Sequence, residues 1–169
     1  CFRQEFFGGG EKTRVGISVD SDYALWINGN FIDCGQYLAR PDQKYYDLLS
    51  IADFVHEGKN VLCVLASYRG EDTQTYQKGE PGLVFWIESE QGTVWSGEET
   101  WCAQVSGYAC GPIYHITPQL GFGYCYDACA AHDWTREDYA MDEAWERAQV
   151  KDWSPQLPKA LKKRPIAKL

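Results

Sequence analysis

Three histidines (His56, His115 and His132), seven cysteines and 24 acidic side chains are the chemistry-bearing groups of this 169-residue chain. A nucleophilic triad needs a Ser or Cys beside a base that a third group orients. No serine here sits in a G-x-S-x-G elbow. His56 adjoins the Glu57-Gly58 turn and reads as solvated, while His115, between Tyr114 and Ile116, reads as a strand residue facing either way. Cys125-x3-Cys129-x2-His132, with Cys110 upstream, is the densest set of soft ligands. Structural zinc sites usually pair ligands as C-x2–4-C and H-x3–5-H, which this group meets only loosely, and on a strand His132 would face away from both cysteines, so buried free thiols are the plainer reading. Asp20-x-Asp22 and Glu71-Asp72 offer oxygen ligands near turns without the glycine and terminal glutamate of a calcium loop. Two carboxylates facing each other across a bond could hydrolyse a glycoside, but among 24 acids the sequence selects no pair. No catalytic residue and no metal ligand is assigned, and calcium is the one cofactor left open.

Aromatic side chains interleaved with polar ones are the stronger signal. Sugars present apolar C–H faces that pack on rings, and hydroxyls that seek Asp, Asn, Arg and Gln. Two segments mix these types: Gln36-Tyr37-Leu38-Ala39-Arg40-Pro41-Asp42, and Tyr68-Arg69-Gly70-Glu71-Asp72-Thr73-Gln74-Thr75-Tyr76. The second joins two apolar strand patterns, and connections of that length often carry function. Tyr68, Arg69, Glu71, Asp72 and Tyr76 are the candidate carbohydrate contacts, with Asp22 and Tyr45 behind them. Trp26 and Trp86, inside strand patterns, are expected in the core.

Those loops need a frame, and the pattern is mainly β. Val15, Ile17 and Val19 alternate along 13–20, as on a half-buried strand. Asn28-Gly29 between two apolar runs predicts a two-residue hairpin, because a type I′ turn needs positive φ at both central positions. Glu57-Gly58-Lys59-Asn60, Pro81-Gly82 and Gln91-Gly92 punctuate the runs 61–66, 83–88 and 93–95. Turns at this spacing predict an antiparallel β-sandwich or barrel. Thr135 and Asp138 stand at the spacing of a helix start, so a short helix or turn is expected near 135–149. Glu98 to Val105 echoes Asp142 to Val150, each placing a Trp after acidic residues. Residues 1–150 read as one folded domain; 151–169, with three prolines and the basic cluster Lys162-Lys163-Arg164, reads as a linker toward a further module.

Composition bounds the partners. The chain is 44% hydrophobic and 15% aromatic, which excludes intrinsic disorder. A net charge of −8 argues against nucleic acid or an anionic membrane surface. No apolar run is long enough to span a bilayer. Cysteines within apolar runs, as at Cys63, and the lack of a signal peptide point to a reducing cytoplasm. The opening Cys1 suggests a trimmed or excerpted segment.

Tyr23-Ala24-Leu25-Trp26-Ile27-Asn28-Gly29-Asn30, then Tyr46-Asp47-Leu48 and Glu57-Gly58-Lys59-Asn60-Val61-Leu62, resemble the N-terminal β-sandwich of bacterial α-L-rhamnosidases. Leu120-Gly121-Phe122 with Tyr126-Asp127-Ala128 is similar to that family's Y-D-A-R stretch. Asp142 to Ala148 is similar to its D-D-S-x-W-x-x-A turn, and Arg164 to Leu169 to its R-x-I-P-x-L exit. The resemblance implies a galactose-binding-like jelly roll, an N-terminal accessory domain ahead of an (α/α)6 catalytic barrel that would carry the acid and base. It also raises calcium-dependent binding of rhamnose. Two departures count against that binding: Ser67-Tyr68-Arg69-Gly70-Glu71-Asp72 lacks a G-W-Y-x-G-R pattern, and Cys129 stands where an Arg is usual. The expected function is thus a non-catalytic, carbohydrate-associated module of a glycoside hydrolase acting on terminal α-L-rhamnosides. The alternative is an autonomous carbohydrate-binding module or lectin.

Overall fold

A computed structural model of the chain describes residues 1–35, 40–105, 107–108, 114–117, 121–151 and 160–167. Numbered along the chain, β1 (Phe2–Phe7), β3 (Asp22–Ile27), β4 (Asn30–Cys34), β6 (Lys59–Ser67), β9 (Trp101–Cys102) and β12 (Glu146–Arg147) form a six-stranded sheet in the order β12-β9-β1-β6-β3-β4. A five-stranded sheet takes the order β13-β5-β2-β7-β8, from β2 (Arg14–Asp20), β5 (Tyr45–Ser50), β7 (Gly82–Ser89), β8 (Gly92–Trp95) and β13 (Lys162–Lys163). A small ribbon pairs β10 (His115–Thr117) with β11 (Gly121–Phe122).

Strand alternation makes the two sheets a sandwich. Val15, Ile17 and Val19 of β2 and Phe85 and Ile87 of β7 project from one sheet. They meet Phe6, Tyr23, Leu25, Ile27, Leu62 and Val64 from the other, all of them nearly or wholly buried. At about 1.5–3 kcal/mol for each fully buried side chain, this interface dominates the stability. The mainly-β sandwich expected from the turn spacing is the fold observed; among the described residues β13 runs parallel to β5 and the other paired strands are antiparallel.

The predicted hairpin is present. Asn28 and Gly29 take φ of 51° and 82° between β3 and β4, and Ile27 pairs with Asn30 across the turn.

Two expectations are corrected, and a third, the short helix or turn near 135–149, resolves to turns. Trp26 and Trp86 lie on the outer faces of their sheets, half-buried, because the period of two that sends Leu25 and Ile27, or Phe85 and Ile87, inward sends the tryptophans outward. Residues 135–149 hold turns and β12 but no helix. The backbone bonds that close the turns span three residues, as from Arg136 N to Asp133 O and Trp145 N to Asp142 O. The carbonyls of Trp134 and Glu137, which a helix would use, accept instead from Nη1 and Nη2 of buried Arg3 at 2.8 and 3.2 Å. Cys125, Cys129 and His132 are exposed rather than buried, and among the described residues no three His, Cys, Asp or Glu side chains gather as a metal site. The two echoing segments turn out to be partners: Trp101 pairs with Arg147 and Cys102 with Glu146 at the edge of the six-stranded sheet.

Within the basic exit stretch, β13 docks on β5 and Arg164 reaches the buried Asp47. Cys110, Leu120, residues 36–39 of the first mixed loop, and 152–159 and 168–169 of the exit stretch lie outside the described residues.

Candidate functional site

The loop from Tyr68 to Pro81 joins β6 to β7 and folds over the end of the five-stranded sheet. Asp20, the last residue of β2, is its anchor. This buried carboxylate accepts from Lys44 Nζ at 2.6 Å, from Tyr76 Oη at 2.5 Å and from Ser21 Oγ at 3.1 Å. A buried carboxylate requires such partners, and here a cation and two hydroxyls replace the lost water. Burial, with the Asp20 carboxylate second, pushes the Tyr76 phenol up to about 12.

Around that anchor the loop is tightly tied. The main chain at Gly79 passes so close that a β-carbon there would stand 2.2 Å from Asp20 Oδ2, so the position excludes a side chain. Gly79 accepts from Tyr68 Oη at 2.7 Å through its carbonyl. Arg69 Nη2 meets Asp22 Oδ2 at 3.0 Å, its amide donates to Ser21 Oγ, and its guanidinium stands 5.5 Å from the centre of the Tyr76 ring. Asp72 accepts the Lys78 amide at 2.6 Å, and the Thr73 hydroxyl accepts the amides of Thr75 and Tyr76. A dozen residues without apolar periodicity therefore hold one shape through side-chain to backbone bonds.

The result is an open cleft of about 490 Å³ lined by Pro41, Lys44, Tyr68, Asp72, Lys78 and Glu80 among others. Its size suits a small polar ligand. Of the sequence candidates, the fold unites Asp22, Arg69 and Tyr76 as one network and sets Tyr68 and Asp72 on the cleft wall. Glu71 is exposed beside them. Tyr45 is not among the lining residues; it opens β5, where its carbonyl accepts from Ser18 Oγ and its register partner is Lys162. Sequence reasoning missed Lys44 and Gly79, which are distant in sequence from the loop or carry no side chain to notice. Asp20 and Asp22, weighed as calcium ligands, are each engaged by a cation, Lys44 and Arg69. A divalent ion would have to displace both.

No protein-family model and no curated protein matches the sequence. Solved structures do. The chain superposes on the GH78 family rhamnosidase of Bacillus sp. GL1 with a TM-score of 0.85 and 24% identity, over 99% of this chain and 18% of that one. The resemblance read from the sequence holds at the level of fold. The α-L-rhamnosidase of Dictyoglomus thermophilum follows at a TM-score of 0.71 and 24% identity, over 98% of this chain and 18% of that one. That of Streptomyces avermitilis, solved with L-rhamnose, gives 0.64 and 22%, over 96% and 16%. The chain thus spans less than a fifth of the length of these rhamnosidases.

Proposed function

We propose that the chain is a non-catalytic β-sandwich accessory module of an α-L-rhamnosidase-like glycoside hydrolase, whose bond-breaking residues belong to a separate catalytic domain. One observation carries the reading: nearly the whole chain superposes on a minor fraction of rhamnosidase chains. The site chemistry agrees with it. Each carboxylate of the Asp20–Asp22 turn is held by a cation, which leaves neither poised as a general base. The test is to incubate the 169-residue chain with p-nitrophenyl α-L-rhamnopyranoside. No release of nitrophenol is expected; turnover that survives further purification overturns the reading.

The second reading is an autonomous carbohydrate-binding module, favoured by the cleft beneath the Tyr68–Pro81 loop. There Tyr68 would offer a ring face, and Asp72, Lys44 and Glu80 would offer hydrogen-bonding groups, with Arg69 and Tyr76 holding the loop in place. Isothermal titration with L-rhamnose, D-galactose and D-glucose, with and without calcium, separates the two. Heat that vanishes in Tyr68→Ala supports the cleft, and calcium dependence would restore the ion as a cofactor.

A further inference from the structure

The two outer faces of the sandwich are treated differently. On the six-stranded sheet, Trp26 is covered by the chain itself: Trp134 packs edge-on at 5.6 Å, and Tyr139 and Trp145 follow it. On the five-stranded sheet a comparable aromatic row has no such aromatic cover among the described residues. Trp86 and Trp95 are directly paired across β7 and β8 and stack at 5.5 Å with 28° between planes; Tyr46 meets Trp86 edge-on at 4.9 Å. Trp95 remains 59% exposed.

This row is built to stay in place. Trp86 lies across Gly16 on the adjacent strand, where a β-carbon would stand 2.2 Å from its ring. Its indole N–H donates to Glu88 Oε1 at 3.1 Å, while Glu88 Oε2 takes Arg14 at 2.7 Å. Ring orientation is thereby fixed before any ligand arrives, which lowers the entropy cost of binding. Thr93, the register partner of Glu88, and Ser50, the partner of Arg14, complete a hydrogen-bonding rim.

We infer that this outer face is a carbohydrate-binding platform, separate from the loop cleft, on which a neutral sugar stacks against Trp95 and Trp86 and bonds to the Arg14–Glu88 rim. The chemistry selects the occupant. Arg14 and Glu88 satisfy each other, which leaves the rim no unpaired charge for an ion, and the net charge of −8 disfavours an anionic occupant despite exposed Lys163 beside Tyr46. A row of three rings, two of them already half-buried, falls short of the roughly 800 Å² per partner of a stable protein interface. A pyranose needs only an apolar face and a few bidentate partners. Trp86 lies four residues along β7 from Gly82 at the cleft end, about 13 Å at strand spacing. The two surfaces therefore make distinct contacts, and this platform does not depend on the accessory-module reading.

The test is native electrophoresis of the full chain in gels cast with soluble xylan, β-glucan or galactan, backed by tryptophan fluorescence titration. Retardation in at least one gel is expected, with affinity falling at least tenfold in Trp95→Ala and in Gly16→Ala, which displaces Trp86. Phe7→Ala, an exposed ring on the opposite sheet, should bind as the parent does. Circular dichroism confirms that each variant is folded. No retardation in any of the three gels overturns the platform. So does retardation that survives Trp95→Ala, and if Tyr68→Ala then abolishes it, binding belongs to the cleft and the loop reading stands alone.

Discussion

The side-chain amide of Asn28 donates to Oδ1 of Asn60 across 2.8 Å, joining the hairpin turn to the start of β6 at one end of the sandwich. Asn60 is wholly buried and works at full capacity. Its Nδ2 lies within bonding distance of the carbonyls of Gly8, His56 and Gly58, and its Oδ1 also takes the His56 amide. Asn28 Oδ1 in turn accepts the Val61 amide at 2.8 Å.

Asn60→Ala strands several buried backbone groups at once. With about 1–3 kcal/mol for each unsatisfied group and partial rescue by water, a loss of about 3 kcal/mol is expected. That lowers Tm by roughly 6–12 °C in a chain of this size. Asn28→Gly keeps the positive φ and loses only the side-chain bonds, so it should cost about 1–2 kcal/mol. Urea unfolding of the two variants checks the ranking; equal losses would show that the turn conformation, not the amide network, matters.

Arg3 pins the 133–147 segment onto the six-stranded sheet. Its guanidinium is buried and takes two main-chain carbonyls, with Cys63 Sγ 3.4 Å from Nη1. His56 Nε2 adds a second tie to Glu137 Oε2 at 3.2 Å. Arg3→Met should free the segment and expose Trp134 and Trp145, seen as a red-shifted fluorescence maximum and as proteolytic cuts between 133 and 147. The second tie is pH-dependent. The Glu57 carbonyl first, and Glu137 after it, hold the His56 pKa above its ordinary value. The tie is therefore complete below about pH 6.5 and weakens as pH rises through the raised value. Cleavage of Arg3→Met should accelerate from about pH 6 to pH 8, and His56→Gln should remove that dependence.

What could be read from the chain and what could not divides along local and distant interactions. The Asn28-Gly29 turn and the alternation of Val15, Ile17 and Val19 are local signals, and both elements stand where they were expected. The 135–149 stretch carries a helix-like start, but Arg3, more than 130 positions away, takes its carbonyls. Shorter but still non-local separations hide Lys44 from the Asp20 anchor of the loop and Gly16 from the Trp86 ring above it. Alternation alone would have sent Trp26 and Trp86 outward; aromatic bulk argued otherwise. The pairing of β9 with β12 was present as an echo between two segments, which carried no register until their strands met.

Asp47 and Arg164 hold the exit stretch. Asp47 is buried, takes Tyr23 Oη at 2.7 Å, and is engaged by both Nε and Nη2 of Arg164. Removing one member of a buried pair leaves an uncompensated charge, at about 3–5 kcal/mol. Arg164→Ala should cost that much in urea unfolding and release β13, seen as fast amide exchange at Lys162 and Arg164, whose amides bond to the carbonyls of Lys44 and Tyr46. Asp47→Asn with Arg164→Met together should cost clearly less than Arg164→Ala alone. A double variant as unstable as the single one would mean that packing of β13, not charge, holds the stretch.

Tyr76 gives the loop cleft its own pH signature. Its folded-state value of about 12 exceeds the usual value near 10 of an unfolded tyrosine. A group raised on folding contributes stability in full below its unfolded value and loses it as pH climbs through the folded one. The loop should therefore hold up to about pH 10 and loosen between about 10 and 12, as the phenolate forms beside the Asp20 carboxylate. Tyr23 and Tyr108 are raised as well, so the signature is a difference: absorbance at 295 nm should show one more tyrosine titrating above pH 11 in the parent than in Tyr76→Phe. Tyr76→Phe removes that late step and, having lost the bond to Asp20, should flatten the fall of Tm across the same interval. Identical Tm profiles for the two proteins would show that Asp20 is satisfied by Lys44 and Ser21 alone, and that Tyr76 sits over the anchor without closing it.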